Sequence, residues 1–157
     1  MSEEEIVKFL KTYKPGSLPA SIFYEYSRLF YMIAADIVVF NKNGWILLTK
    51  RAKNDPFWPN ALHIPGKIVI GSDKNYDQAV KRVIANELPG VVVTKPVLVG
   101  SSCIINKRGK IENKIFIAKL IKNNGYKFYN PKNLPKNTLE EVPGTLNVAV
   151  SKIDLLK

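Results

Sequence analysis

A single amphipathic helix, set between two groups of strand-like segments, constrains the fold of this chain more than any other feature. Apolar residues recur at helical spacing and fill one broad face of it: Tyr76, Ala79, Val80, Val83, Ile84 and Leu88. Pro89 and Gly90 then end the helix. A helix with one apolar face has to cover another element, and strand patterns lie on both sides of this one.

The segments around this helix predict the order of the remaining elements. Two helices come first, one opened by a capping box of Ser2 and Glu5 and the other starting near Pro19. The segments AADIVVF, WILLTK and IPGKIVIG then have the pattern of strands. After the central helix we expect a loop over residues 123–144, a short helix capped by Ser151, and strands in the segments VVV, LVGSSCII, KIFIAKLI and LNVAV.

This order predicts an α/β fold, in which a mixed β-sheet lies between helices as an α/β/α sandwich. The 157 residues are enough for one domain with a full core and no more. We therefore expect a single domain, with an N-terminal helical segment over residues 1–33 and the core over residues 34–157.

The composition excludes several kinds of site. Cys103 is the only cysteine, so a disulfide framework and a thiolate zinc cluster are excluded. His63 is the only histidine, and nothing around it resembles a nucleophile elbow, which argues against a Ser-His-Asp triad. The excess of 24 basic over 13 acidic residues gives a net charge of +11. That charge favours an anionic partner without choosing among nucleic acid, nucleotides, sugar phosphates and membrane surfaces.

The sequence also indicates where the protein acts and with what. No apolar run approaches the length needed to span a bilayer, and the first residues lack the regions of a signal peptide, so we expect a cytoplasmic protein that does not enter a membrane. Nucleic acid is not the expected partner, because the chain has no aromatic sheet motif, no RGG run and no basic stripe on a helix. A homodimer is left open.

Glu87 is out of place on the apolar face of the central helix. It falls near the centre of that face, one turn beyond Val83. Mg²⁺ is usually held by one or two carboxylates together with substrate phosphate oxygens, so such a carboxylate could hold a metal at the edge of a sheet. It could equally be a charged side chain of a frayed last turn that bends out to water.

The run from LLTKRAKNDPFWPNALHIPGK to AVKRVIANELPGV resembles the loop, strand, loop and helix of Nudix hydrolases. In that family a box of the form G-x5-E-x7-R-E-U-x-E-E-x-G-U binds Mg²⁺ and a diphosphate. The matching positions here are Gly66, Arg82, Glu87 and the pair Gly90-Val91. Val83 and Asn86 stand where two further glutamates are expected, so the box is reduced.

A box reduced in this way is similar to that of GDP-mannose mannosyl hydrolases, which keep the arginine and one glutamate five residues later. The upstream run LPASIFYEYSRLFYMIAADIVVFNKNGWILLTKR also resembles the opening of that branch. The resemblance implies the Nudix fold and a hydrolase that uses Mg²⁺, or Mn²⁺ in its place. Its substrate would be a small nucleotide, a nucleoside diphosphate linked to another group, for instance a nucleotide sugar such as GDP-mannose.

The resemblance also implies roles for single residues around the metal. Glu87 and the carbonyl of Gly66 would bind the metal, and Arg82 would brace the metal carboxylates, although a solvated helix surface explains Arg82 nearly as well. That branch has a general-base histidine in its late loop, and no histidine stands there in this chain. Glu140 or Glu141 would then serve as the base or as an extra metal ligand.

Three residues are expected to contact the substrate. Arg51 ends a strand and could fork onto phosphate oxygens, and Lys67 could replace a phosphate-binding arginine after the Pro-Gly turn. Either could also be an ordinary solvated charge. Asp36 lies within an apolar strand, where an unpaired charge is costly, so it belongs to the substrate cleft or to a buried ion pair.

The missing acids leave a second hypothesis from a different class. A chain that lacks two box glutamates and the late histidine could be a catalytically impaired module that binds a nucleotide or RNA. Turnover of a nucleotide would decide for the hydrolase, whereas binding that is lost steeply with added salt, without any turnover, would decide for an RNA-binding module.

Overall fold

The structure is a computed structural model and describes residues 1–156; Lys157, the last residue of the predicted domain, lies outside the described residues. The α-helices are α1 (Glu3–Lys11), α2 (Ala20–Leu29), α3 (Tyr76–Glu87) and α4 (Val142–Val150), and a 3₁₀ helix covers Ile153–Leu156. The strands are β1 (Met32–Phe40), β2 (Ile46–Leu47), β3 (Thr49–Lys50), β4 (Leu62–His63), β5 (Gly66–Ile68), β6 (Val92–Val93), β7 (Val97–Asn106), β8 (Gly109–Lys122) and β9 (Phe128–Tyr129).

Strand β1 is the centre of the main sheet. It pairs in parallel with β8 along its whole length, and β8 pairs antiparallel with β7 and β6. The other edge of β1 is divided between two short antiparallel strands, since β5 pairs with residues 34–36 and β2 pairs with Phe40. The sheet therefore mixes parallel and antiparallel pairs, as predicted.

Helices α3 and α4 cover opposite faces of this sheet. Successive residues of a strand point to opposite faces, and in β1 they feed two separate apolar clusters. Ala35, Ile37 and Val39 pack with the buried residues of α3, while Val38 and Phe40 pack with those of α4. The apolar face predicted for α3 is confirmed, and so is the α/β/α sandwich.

The N-terminal helices are also as predicted. The Ser2 amide donates to Glu5 Oε2 at 2.6 Å and the Glu5 amide donates to Ser2 Oγ at 3.3 Å, which completes the capping box of α1. Helix α2 begins directly after Pro19. None of the helices within residues 1–156 has the length and apolar character required to cross a membrane.

One predicted strand is wrong: the segment LNVAV belongs to helix α4. The residues that α4 buries follow helical spacing and are Val142, Thr145, Leu146 and Ala149. Pro143 lies in the first turn of α4, where its missing amide costs no hydrogen bond. The β-branched residues suggested a strand, but the apolar period is that of a helix. Ser151 is consequently the C-cap of α4, and the chain continues into the 3₁₀ helix.

Two smaller differences concern the strands. The segment WILLTK was expected to be one strand, but it divides into β2, which belongs to the main sheet, and β3, which pairs with β4 in a separate two-stranded sheet. The loop predicted over residues 123–144 contains β9, which pairs with β2. Both departures involve strands of two residues, too short to show a period in the sequence.

Candidate active site

A cleft of about 1220 Å³ lies beside the divided edge of β1. Its wall comes from α2 and the chain just before it, from β1 and β5, from α3, from the loop after β3, from the turn between β7 and β8, and from the start of α4. The cleft brings together these residues predicted from the sequence: Asp36, Arg51, Gly66, Lys67, Arg82, Glu87 and Glu141. The exposed Glu140 is not part of the wall.

On the α3 side of the cleft, Glu87 is paired with Lys67. Lys67 lies opposite Ala35 in the pairing of β5 with β1, so its side chain is on the face that α3 covers. Its Nζ is 2.8 Å from Oε1 of Glu87, the last residue of α3. Both side chains remain partly exposed, Lys67 by 34% and Glu87 by 26%. The carboxylate on the apolar face thus meets a cation supplied by the sheet.

Arg82 does not brace Glu87 but holds the loop before α3. Its guanidinium donates to both carboxylate oxygens of Asp73, at 3.0 and 2.6 Å, and to the Ile68 carbonyl at 2.9 Å. The Ile70 amide also donates to Asp73. The hydrogen bond from Arg82 lowers the pKa of Asp73, whose side chain is only 3% exposed. This fork ties residues 70–73 to the helix.

Asp36 explains why residue 66 is a glycine. Asp36 is buried and lies directly opposite Gly66 in the pairing of β1 with β5. A Cβ at residue 66 would lie 2.0 Å from Asp36 Oδ1, so no larger residue fits. Burial, and then the nearby Glu141 carboxylate, raise the pKa of Asp36 to about 8. Asp36 is therefore mostly protonated at neutral pH.

On the α4 side of the cleft, Glu141 has an unsatisfied carboxylate oxygen. Glu141 stands at the start of α4 and is half-buried. Its Oε2 is buried, and no donor within residues 1–156 bonds to it. Burial raises the pKa of the Glu141 carboxyl. A buried polar atom without a partner is rare in proteins, and an absent ligand is one explanation for it.

Arg108, from the turn between β7 and β8, was missed by the sequence interpretation. Its Nε is buried without a hydrogen-bond acceptor, and no carboxylate of residues 1–156 forms a salt bridge with it. Burial, and then the charge of Arg51, lower the pKa of Arg108. The segment NKRGK carries no motif that indicates a site, and the long β7–β8 hairpin brings its arginine to the cleft.

The two arginines of the cleft share one aromatic ring. The guanidinium carbons of Arg51 and Arg108 lie 5.6 and 5.4 Å from the ring centroid of Trp58. Arg51 is held by Asp55, with Nη2 and Oδ2 2.6 Å apart, whereas Arg108 has no such partner in the part of the chain that the structure describes. Two guanidinium groups close to each other, one of them unpaired, suit an anionic ligand.

His63 does not add to the charge of this site. It lies half-buried in β4, and its Nε2 is 3.2 Å from Thr49 Oγ1. Burial, and then the charge of Arg51, lower the pKa of His63 to about 4. The ring is consequently neutral at physiological pH.

Solved structures with the same arrangement of helices and strands identify the fold. A NUDIX hydrolase from Nitrosomonas europaea matches with a TM-score of 0.63 at 11% identity, over 82% of this chain and 97% of that one. A MutT NUDIX hydrolase from Burkholderia pseudomallei matches with a TM-score of 0.57 at 16% identity, over 76% and 98%. The chain has the Nudix fold. A MutT/nudix family protein from Enterococcus faecalis covers 98% of this chain and 70% of its own, at 17% identity and a TM-score of 0.57.

The likeness of this chain to Nudix proteins rests on structure. No family model matches the chain, and no curated protein matches its sequence. At identities of 11 to 17% the solved structures establish the fold, while the activity has to be argued from the cleft.

The acidic side chains near the α3 end of the cleft are engaged by basic partners and do not form a cluster that would hold a metal through protein ligands alone. No group of three or more His, Cys, Asp or Glu residues within 1–156 is placed to hold a metal ion. Glu87 is paired with Lys67, and Asp73 is paired with Arg82. Binding of Mg²⁺ by Glu87 and Gly66 stays a prediction from the sequence resemblance.

Proposed function

We propose that this chain hydrolyses a nucleoside diphosphate linked to another group, with a nucleotide sugar such as GDP-mannose as the first substrate to test. The observation that carries the proposal is the meeting of three cations and one unsatisfied carboxylate in a single cleft of a Nudix fold: Arg51, Lys67, Arg108 and Glu141. The sequence resemblance supports the nucleotide sugar.

The cations bind the diphosphate. Arginine forms two parallel hydrogen bonds to phosphate oxygens, and Arg51 and Arg108 present their guanidinium groups beside the same ring. The ammonium of Lys67 adds a third positive charge from the other side of the cleft. As the bond to the diphosphate breaks, these groups neutralise the charge that develops on the leaving oxygen.

Glu141 activates the water. Its carboxylate has a buried oxygen with no donor in residues 1–156, which is the arrangement that a water molecule can complete. The carboxylate takes one proton from the water as the water oxygen bonds to the sugar carbon. The bond between that carbon and the diphosphate oxygen breaks, and the nucleoside diphosphate leaves. A raised pKa makes Glu141 a better base than an ordinary glutamate at neutral pH. Of the two glutamates proposed from the sequence, Glu141 is the one that lines the cleft.

The test is turnover on a substrate panel. The protein is incubated with nucleotide sugars, dinucleoside polyphosphates and nucleoside triphosphates, once with MgCl₂ and once with a chelator, and the products are read by mass. We expect a nucleotide sugar to be cleaved. The proposal is wrong if no member of the panel is cleaved under either condition while the protein remains folded.

A second candidate function is binding of a nucleotide without catalysis. It is favoured by the Lys67–Glu87 pair, because the one carboxylate of the reduced box that the sequence resemblance assigns to a metal is neutralised by a lysine. Calorimetry with the same panel distinguishes the two functions. Tight binding of a nucleotide that is never turned over would show that the protein is a binding module and not a hydrolase.

A further inference from the structure

We propose that the ammonium of Lys67 takes the place of a divalent cation beside Glu87, so that the cleft binds its anionic ligand without a metal. This inference goes beyond the proposed function, because it concerns the contents of the cleft before any reaction and holds for a hydrolase or for a binding module.

The Lys67–Glu87 pair is fixed by the backbone at both ends. Lys67 is the middle residue of β5 and is held in register with β1. Glu87 ends α3, whose last turn is anchored by the buried Leu88 and by the Tyr126 hydroxyl, which donates to the Glu87 carbonyl at 3.3 Å. The 2.8 Å contact therefore joins two rigid elements and is formed before a ligand arrives.

A metal on Glu87 would have to compete with this ammonium. A divalent ion coordinated by Glu87 would lie within a few ångströms of Lys67 Nζ, and the repulsion between them would be strong in a partly buried cleft. The ammonium of Lys67 already offsets part of the negative potential at this carboxylate. Its affinity for a hard cation is reduced for the same reason.

No second carboxylate is in position to restore a metal site. Lys67 shares a face of the sheet with Ala35, whereas Asp36 and Gly66 point to the opposite face. Asp73 has both of its carboxylate oxygens on Arg82. Glu87 is the one acid within residues 1–156 that forms a salt bridge with Lys67.

Lys67 keeps enough freedom to contact a ligand. An ammonium has three donors, and its salt bridge is with a single oxygen of Glu87. With 34% of its side chain exposed to the cleft, Lys67 can donate to a phosphate oxygen while it remains on Glu87. The lysine side chain, rather than a metal ion, then supplies the cation that contacts the phosphate.

Binding of Mn²⁺ by the full chain, followed by the EPR signal of the free ion, tests this directly and needs no substrate. The wild-type protein should bind Mn²⁺ no more tightly than Glu87→Gln. Lys67→Met, which removes the ammonium and leaves the carboxylate, should bind Mn²⁺ at least about tenfold more tightly than wild type. The double variant Lys67→Met with Glu87→Gln should lose that gain.

Two control variants test whether a positive charge at residue 67, rather than any positive charge in the cleft, weakens Mn²⁺ binding. Lys67→Arg retains a cation beside Glu87 and should leave Mn²⁺ binding as weak as in the wild type. Lys50→Met removes an exposed lysine of the same cleft that forms no salt bridge in residues 1–156, and it should change little. Thermal melting of each variant establishes that it is folded.

Two results overturn the inference. The first is Mn²⁺ binding by the wild-type protein that disappears in Glu87→Gln, because Glu87 would then hold a metal in spite of Lys67. The second is a folded Lys67→Met variant that binds Mn²⁺ no more tightly than wild type. Neither result depends on turnover, so the inference and the proposed function can fail separately.

Discussion

The two sides of the cleft differ in whether their ionisable side chains are paired in salt bridges. On the α3 side, each acid has a basic partner: Glu87 has Lys67, and Asp73 has Arg82. On the α4 side, three ionisable residues have no salt bridge within residues 1–156, namely Asp36, Arg108 and Glu141. Two of these also carry a buried atom without a hydrogen-bond partner.

This difference indicates where the ligand completes the structure. A paired, partly buried charge is satisfied by the fold itself and contributes to stability. An unpaired buried polar group costs free energy in the folded state, and a site that retains it gains that free energy back when a ligand bonds to it. We therefore place the reacting part of the ligand on the α4 side and the supporting charges on the α3 side.

The largest expected effect is that of Glu141→Gln. If Glu141 is the base, the variant should lose at least about 100-fold in kcat on the substrate found in the panel, since the amide cannot accept the proton. Its stability should be equal to or above that of the wild type, because burial raises the pKa of the Glu141 carboxyl and the amide carries no charge to desolvate. Steady-state kinetics and thermal melting measure the two quantities.

The adjacent Glu140 provides the matched control for this experiment. It is exposed and lies outside the cleft, so Glu140→Gln makes the same chemical change one residue away. We expect kcat to change little. Equal losses of kcat in both variants, or a fully active Glu141→Gln variant, would show that Glu141 is not the base.

The next largest effect is expected from Arg108→Ala. A guanidinium that bonds to a phosphate contributes about 1.5 to 3 kcal/mol, so the affinity for the nucleotide should fall by about 10- to 100-fold. Lys107→Ala removes an exposed charge from the same turn and should leave affinity nearly unchanged. Calorimetry measures both, and equal affinities in the two variants would mean that Arg108 does not contact the ligand.

The fold could be predicted from the sequence because its strongest signals are local. The apolar period of α3 and the capping box of α1 depend on residues three or four positions apart, and both are confirmed. The strand predicted for the segment LNVAV was wrong because its β-branched residues were given more weight than the helical spacing of Val142, Leu146 and Ala149. The burial of that helix face against the sheet decides the outcome, and it is a property of the tertiary structure.

The candidate site could be predicted only in part, for a different physical reason. Motif spacing indicated which residues approach β1, but it carries no information about which charges meet. Lys67 and Glu87 are 20 positions apart, and their contact depends on the register of β5 against β1. Arg108 had no motif at all, because a hairpin of two long strands carries it to the cleft.

The effects on stability should have opposite signs on the two sides of the cleft. On the α3 side the pKa of Asp73 is lowered from 3.8, so its stabilising contribution is present above that pH and is lost as the pH falls through the lower folded-state pKa. Asp73→Asn should therefore destabilise the protein by about 1 to 3 kcal/mol at neutral pH, and this deficit should shrink in acid.

For Asp36, on the α4 side, the dependence of stability on pH should have the opposite sign. Its pKa is raised from 3.8 to about 8, so between those values the folded chain holds a proton that the unfolded chain has lost. Wild-type stability should then fall as the pH rises through this range, and Asp36→Asn, which cannot ionise, should remove that part of the decline. Urea unfolding at a series of pH values measures the stability of the wild type and of both variants. If Asp36→Asn lowers stability most at high pH, Asp36 is ionised and paired in the folded protein, and the contrast between the two sides of the cleft is wrong.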